Sequence, residues 1–156
     1  YSFLSVFLND EGIPILLIGV ILTVALLPAV ALEVPMGNLI DRHGIRKTLV
    51  LAAILTTLTG VLMPLSSNLY YTLTIVTAFT ICYTMIFIAL YSRMSDIMGE
   101  SKVVMTGAIA TVKDLGYTLG PLIAGVLMEF MSIKNTFFLT GVAFALLIPV
   151  ALLLRD

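Results

Sequence analysis

Gly37-Asn38-Leu39-Ile40-Asp41-Arg42-His43-Gly44-Ile45-Arg46-Lys47 sets one acid, three bases and two glycines between two long apolar runs. One apolar segment ends there and another starts at once. Gly37 permits close helix contact near a membrane face. Gly44 is free to take positive φ in a tight turn. Asp41 suits either a basic partner or the N-terminus of a neighbouring helix, where the dipole favours an anion.

Outward from this stretch the chain is apolar almost throughout. Of its 156 residues, 60% are hydrophobic and 11% charged, with a mean hydropathy of +1.15. A water-soluble domain carries about 25% charged residues, so too little polar surface is present to coat a soluble globule. Five long apolar segments run roughly 13–40, 48–65, 69–90, 103–131 and 136–154, each long enough to cross a bilayer as a helix. The polar residues fall in the breaks at 9–12, 41–47, 66–68, 92–102 and 132–135. Runs this long exclude barrel strands, which alternate over about ten residues. The first apolar stretch, 1–8, is far shorter than the roughly 20 residues a span needs, and the chain begins at Tyr1. It reads as the tail of a helix whose beginning is missing. The expected fold class is therefore an all-α integral membrane domain of six transmembrane helices, the first truncated.

Lysine and arginine placement sets the orientation. Arg42, Arg46, Lys47, Arg93, Lys102 and Arg155 fall on one side if every segment crosses once, and the other side holds Lys134. The basic loops and the C-terminus are expected in the cytoplasm, with the protein in the plasma or inner membrane. Charges inside a bilayer are costly unless they face protein or water. The segments carrying Glu33 and the adjacent Lys113 and Asp114 should thus face an interior, as should 69–90 with Thr74, Thr77, Thr80 and Thr84. The segments 48–65 and 136–154 should face lipid. Net charge is −1, which suggests no nucleic-acid partner, and the single Cys82 allows no disulfide within the chain. No metal-ligand cluster, nucleophile constellation or phosphate loop is present, and no cofactor or enzymatic activity is expected.

The spacing from Gly37 to Lys47 resembles the signature between the second and third helices of each half of a major facilitator superfamily transporter. That signature is a glycine, three residues, Asp-Arg, one residue, a glycine and a basic pair. Gly37, Asp41, Arg42, Gly44, Arg46 and Lys47 match it, while Ile45 departs where the family often has a base. The resemblance implies a conformational latch holding the cytoplasmic side closed, with Asp41 acting in the latch. A second pattern, Gly107 with Gly116, Gly120, Pro121 and Gly125, sets small residues on one helix as a packing stripe, and Pro121 removes a backbone hydrogen bond. It resembles the fifth-helix motif of drug:proton antiporters, except that Ala124-Gly125 replaces Gly-Gly, and a similar Gly-Pro pattern occurs in the eleventh helix of many members. It supports the superfamily more than the antiporter branch. The segment 69–84 lacks the arginine and glycine usual in a first-half fourth helix, which favours the C-terminal half.

The resemblance implies secondary active transport of a small-molecule solute by alternating access, with a second half as partner, the lipid bilayer as solvent and protons as a candidate coupling ion. Glu33 reads either as a proton-titratable carboxylate or as a structural partner for Arg42, Arg46 or a base in the second half. Lys113 and Asp114, being adjacent, point to different faces; Asp114 reads as a coupling acid or as one partner in an inter-helix salt bridge. Arg93 and Asp96 read as a surface pair or as a charge network with Asp41. Thr77 and Thr84, with Tyr83 and Tyr91, read as a polar path, or the threonines bond their own helix backbone. The competing class is a polytopic scaffold or receptor without transport; a membrane-embedded enzyme, lacking clustered acids, histidines or cysteines, is more distant.

Overall fold

The computed structural model describes residues 2–65, 68–97 and 102–153, with the side chains of 2, 3, 95–97 and 102–106 left aside. Seven α-helices occur among them: α1 (Ser2–Asp10), α2 (Ile15–His43), α3 (Ile45–Leu62), α4 (Leu69–Ile97), α5 (Lys102–Phe130), α6 (Ile133–Phe144) and α7 (Leu147–Leu153). No strand occurs among the described residues. Four stretches are long and apolar enough to cross a membrane by length and composition: Ile15–His43, Ile45–Leu65, Leu69–Met94 and Ile133–Leu153. The 29-residue α5 is as long as α2 and α4 but is not one of the four. Lys113, Asp114 and Glu129 lower its apolar content, although it keeps the expected length for a crossing.

Helix bounds differ from the apolar runs mostly at the basic ends. α2 continues three residues past Ile40 and α4 continues through Ile97. Hydropathy marks where hydrocarbon ends, whereas a helix continues for as long as its backbone finds partners. The basic break is thus one residue wide. Gly44, at φ 84° and ψ 148°, closes α2 through its N–H to the Ile40 carbonyl and opens α3. That region of backbone space belongs to glycine. At the other end of α3, Pro64 lacks an N–H and cannot continue the ladder, so a single 3-10 turn, Met63–Leu65, ends the span. The Tyr71 hydroxyl donates to the Leu62 carbonyl at 2.6 Å, satisfying one of the acceptors a helix end leaves open.

The segment expected as one helix over 136–154 is broken. α6 starts at Ile133, its first turn capped by Ser132, which accepts from the Asn135 N–H at 3.3 Å. It stops at Phe144, two residues turn through 3-10-like bonds, and α7 follows. Pro149 explains the break: its ring clashes with the Ala145 carbonyl, which also loses its helical donor. Prolines stand inside α2 as well, at 28 and 35.

α3 lies at the centre of the packing, against α2, α4, α6 and α7. This differs from its expected place facing lipid. Thr48, Ala52, Thr56 and Gly60 recur every four residues and are all buried, so neighbouring backbones approach closely along that stripe. Thr48 and Thr56 donate to carbonyls of their own helix at 2.9 and 2.7 Å, which removes the penalty of burying a hydroxyl. The opposite face, with Leu51, Ile54, Leu55 and Leu58, stays exposed and suits hydrocarbon. At Gly60 the stripe meets Gly141 of α6. A Cβ on Gly60 would lie 2.8 Å from the Gly141 Cα, and one on Gly141 would lie 2.5 Å from the Gly60 carbonyl carbon. Two core clusters flank this crossing. Phe7, Leu8, Ile21 and Val76 join α1, α2 and α4 at one end, and Ile40, Leu49, Ala52 and Ala89 join α2, α3 and α4 at the basic end.

Candidate functional site

α4 carries Phe79, Tyr83, Phe87 and Tyr91, one residue per helical turn of four. Residues four apart lie on one face of a helix, so these rings form a ladder. Centroids of successive rings are 6.1, 4.8 and 6.3 Å apart. Phe144 at the end of α6 packs edge-on against Phe79 and Tyr83 at 5.7 and 6.0 Å. Offset and edge-to-face rings attract through their quadrupoles, which makes the wall stiff.

α5 does not close against this wall. It rests lightly on α1 and α6, leaving a cleft of about 500 Å³ between Phe87, Tyr91 and Met94 of α4 and Ile109, Val112 and Lys113 of α5. A second space of about 350 Å³ shares Phe87, Leu90, Val112 and Lys113 and extends to Tyr117 and Phe144. Volumes of this size and largely apolar walls are those of small-molecule sites. The charge at the cleft is Lys113. Its Nζ sits 5.9 Å from the centroid of the Tyr117 ring, within cation–π range, and 3.9 Å from Asp114 Oδ1. Lys113 lines the cleft and Asp114 does not, as adjacent residues on different helix faces require, although the long lysine stem bends back toward its neighbour. Such an arrangement can hold an apolar or aromatic body against rings and offer one cation for orientation.

The remaining expected residues are dispersed. Glu33 is exposed on α2, and Asp114 on α5 keeps 70% of its side chain exposed; α2 and α5 do not pack extensively. Within this chain neither acid faces an interior, so each lies on a face the chain itself leaves uncovered. Asp41 and Arg42 are exposed in the last turn of α2, while Arg46 and Lys47 stand in the first turn of α3. No ion pair within 4.0 Å joins Asp41 or Glu33 to these bases among the described residues. His43 Nδ1 lies 3.1 Å from the Leu39 carbonyl of its own helix. Arg93 is half-buried near the end of α4; the side chain of Asp96 lies outside the described residues. Thr74 and Thr80 donate to their own helix at 2.8 Å. Thr77 Oγ1 is buried without a hydrogen-bond partner, as is Thr72 Oγ1, and Thr84 is half-buried.

The small-residue pattern of α5 has no helix seated on it. A Cβ at Gly107, Gly116 or Gly120 would meet nothing within 4 Å, and the same holds for Gly37; Pro121 is exposed and Gly125 half-buried. Three features escaped the sequence reading. The aromatic ladder was visible as four rings at spacing four. The Gly60–Gly141 crossing had no local signal, because each glycine is isolated in its own helix. The Lys134–Glu11 ion pair, at 2.7 Å, joins the first turn of α6 to the turn after α1, two polar breaks that nothing in the sequence pairs.

The family model described as Major Facilitator Superfamily matches residues 1–156, the whole chain. No curated protein and no solved structure matches it significantly.

Proposed function

Because the chain belongs to the major facilitator superfamily, we propose that it forms one six-helix half of a secondary active transporter that works by alternating access with a second half. The superfamily match and the apolar helices make it a multi-pass membrane protein of a transport family, and that family implies a small-molecule substrate. The finer reading takes the chain as the C-terminal repeat, with its basic loops and C-terminus in the cytoplasm and its home in the plasma or inner membrane. Gly37, Asp41, Arg42, Gly44, Arg46 and Lys47 act as the latch between transport states. Protons are the candidate coupling ion.

The observation that carries the reading is the cleft between α4 and α5. An aromatic wall, a cavity of about 500 Å³ and the Lys113 ammonium lie together beside a helix that its own bundle holds loosely. Transporter sites form near the bilayer midplane at the interface of two repeats, and a loosely held charged helix is suited to meet a second repeat there. Glu33 and Asp114 are the candidate proton carriers, both acids on uncovered faces. The test is proton-coupled flux of candidate solutes in vesicles containing the full-length protein. Glu33→Gln with Asp114→Asn should uncouple solute movement from the proton gradient. If flux stays proton-coupled in the double variant, the coupling assignment is wrong. If the wild-type protein moves no solute in any gradient, the scaffold reading replaces transport.

A further inference from the structure

Where α3 begins, α3 and α7 leave a groove of about 380 Å³. Its mouth is Arg46 and Lys47, its walls Val50, Leu51 and Ile54 of α3 and Leu152 of α7. We propose that this groove binds an anionic glycerophospholipid, with the headgroup phosphate on Arg46 and Lys47 and one acyl chain along the apolar floor.

The argument begins with spacing. Positions 46, 47, 50, 51 and 54 follow the three-and-four rhythm of one helix face, so cations and apolar side chains form one stripe with a charged end. From Lys47 to Ile54 the helix rises about 10 Å. Half of a hydrocarbon core about 30 Å thick is about 15 Å, so the floor matches the upper part of one leaflet. Leu51, Ile54 and Leu152 keep roughly half of their surface exposed. A hydrocarbon chain is what a bilayer presents to such a face.

Charge selects the headgroup. Arg46 and Lys47 have no carboxylate within 4.0 Å among the described residues. Two neighbouring cations at the membrane surface repel one another, and an anion between them removes that cost. They also stand in the first turn of an 18-residue helix, where the dipole favours negative charge. Arginine can grip a phosphate with two parallel N–H donors while lysine adds a point charge. A zwitterionic headgroup offers the same phosphate but carries its own compensating cation, so the groove should prefer net-negative lipids. Basic pockets between membrane helices are suited to such headgroups.

The test uses the full-length protein in a mild neutral detergent. Phosphatidylglycerol and phosphatidylcholine of identical acyl chains are added separately, and retained lipid is counted by native mass spectrometry. Inorganic phosphate is run as a third arm. Phosphatidylglycerol should be retained in preference to phosphatidylcholine, and phosphate should not displace it. In R46Q/K47Q its retention should weaken by roughly 30-fold, from about 1 kcal/mol per cation near the surface. R46K/K47R, which keeps both charges, should stay within a few-fold of wild type and separates lost charge from lost fold. Equal retention of the two lipids by the wild-type protein overturns the proposal without any variant. So does undiminished phosphatidylglycerol on R46Q/K47Q, and displacement by free phosphate would make this a site for a soluble anion instead.

Discussion

Gly141→Ala should loosen the bundle by about 2 kcal/mol. The added Cβ would sit 2.5 Å from the Gly60 carbonyl carbon, 2.6 Å from the Val61 nitrogen and 3.0 Å from the Gly60 oxygen. Carbon atoms prefer separations of about 3.5–4.0 Å. All three obstructing atoms are backbone of α3, so no rotamer change relieves them and α6 must retreat by about 1 Å. Overpacking of this kind costs about 1–3 kcal/mol. The retreat also forfeits up to half of the dispersion of neighbouring contacts, at about 0.1–0.2 kcal/mol per atom pair. Alanine's better helix propensity offsets about 1 kcal/mol. A net loss of about 2 kcal/mol changes the folded-to-unfolded ratio by about 30-fold. The assay is reversible unfolding of the full-length protein in mixed detergent, with Gly19→Ala as reference because a Cβ there meets nothing within 4 Å. Gly60→Ala should act like Gly141→Ala, and the double variant should cost less than the two together, since one retreat serves both. If Gly141→Ala unfolds at the same detergent fraction as Gly19→Ala, the two backbones do not touch as described.

Asp41 stands in the last turn of α2, where the helix dipole disfavours an anion by about 0.3–1 kcal/mol. Asp41→Asn should therefore leave stability unchanged or slightly raised while lowering transport, and a parallel loss of both in unfolding and flux assays would count against a latch. The Glu11–Lys134 pair keeps 23% and 47% of its side chains exposed, so a double-mutant cycle with Glu11→Gln and Lys134→Ala should give a coupling of about 0.5–1 kcal/mol that shrinks with added salt. Phe87→Ala removes the ring shared by both parts of the cleft. The loss of one aromatic contact, about 0.5–1.5 kcal/mol, should raise the half-saturating solute concentration about 2- to 10-fold in vesicle flux, and an unchanged value would place the solute elsewhere.

The membrane class and the long helices were legible because lipid enforces one rule, a run of apolar residues, and short-range composition reports it. The Gly44 joint was legible for a similar reason: the need for positive φ is local to one residue. Which helix lies at the centre was not. α3 has few polar residues, so polarity sorting sent it to the lipid, yet its buried face is built of Thr48, Ala52, Thr56 and Gly60. In a bilayer the inner face is marked by smallness more than by polarity, and the glycines of α5 satisfied that criterion more conspicuously while packing against nothing here. The break at 145–146 follows from Pro149, a signal present in the sequence and passed over inside an apolar run. The cleft needed two helices to stand apart, which no single segment encodes.

The composition of α5 bears on how the chain enters the membrane at all. Lys113 and Asp114 lie near its middle, and together they cost about 5–7 kcal/mol on insertion scales. Eleven leucine, isoleucine, valine and phenylalanine residues offset about 0.3–0.6 kcal/mol each. Taken alone, α5 sits close to balance between the bilayer and the translocon's aqueous channel. If α5 crosses the bilayer as proposed, it commits to the membrane once neighbouring segments shield its charged pair, and it would be the span most exposed to quality control during synthesis.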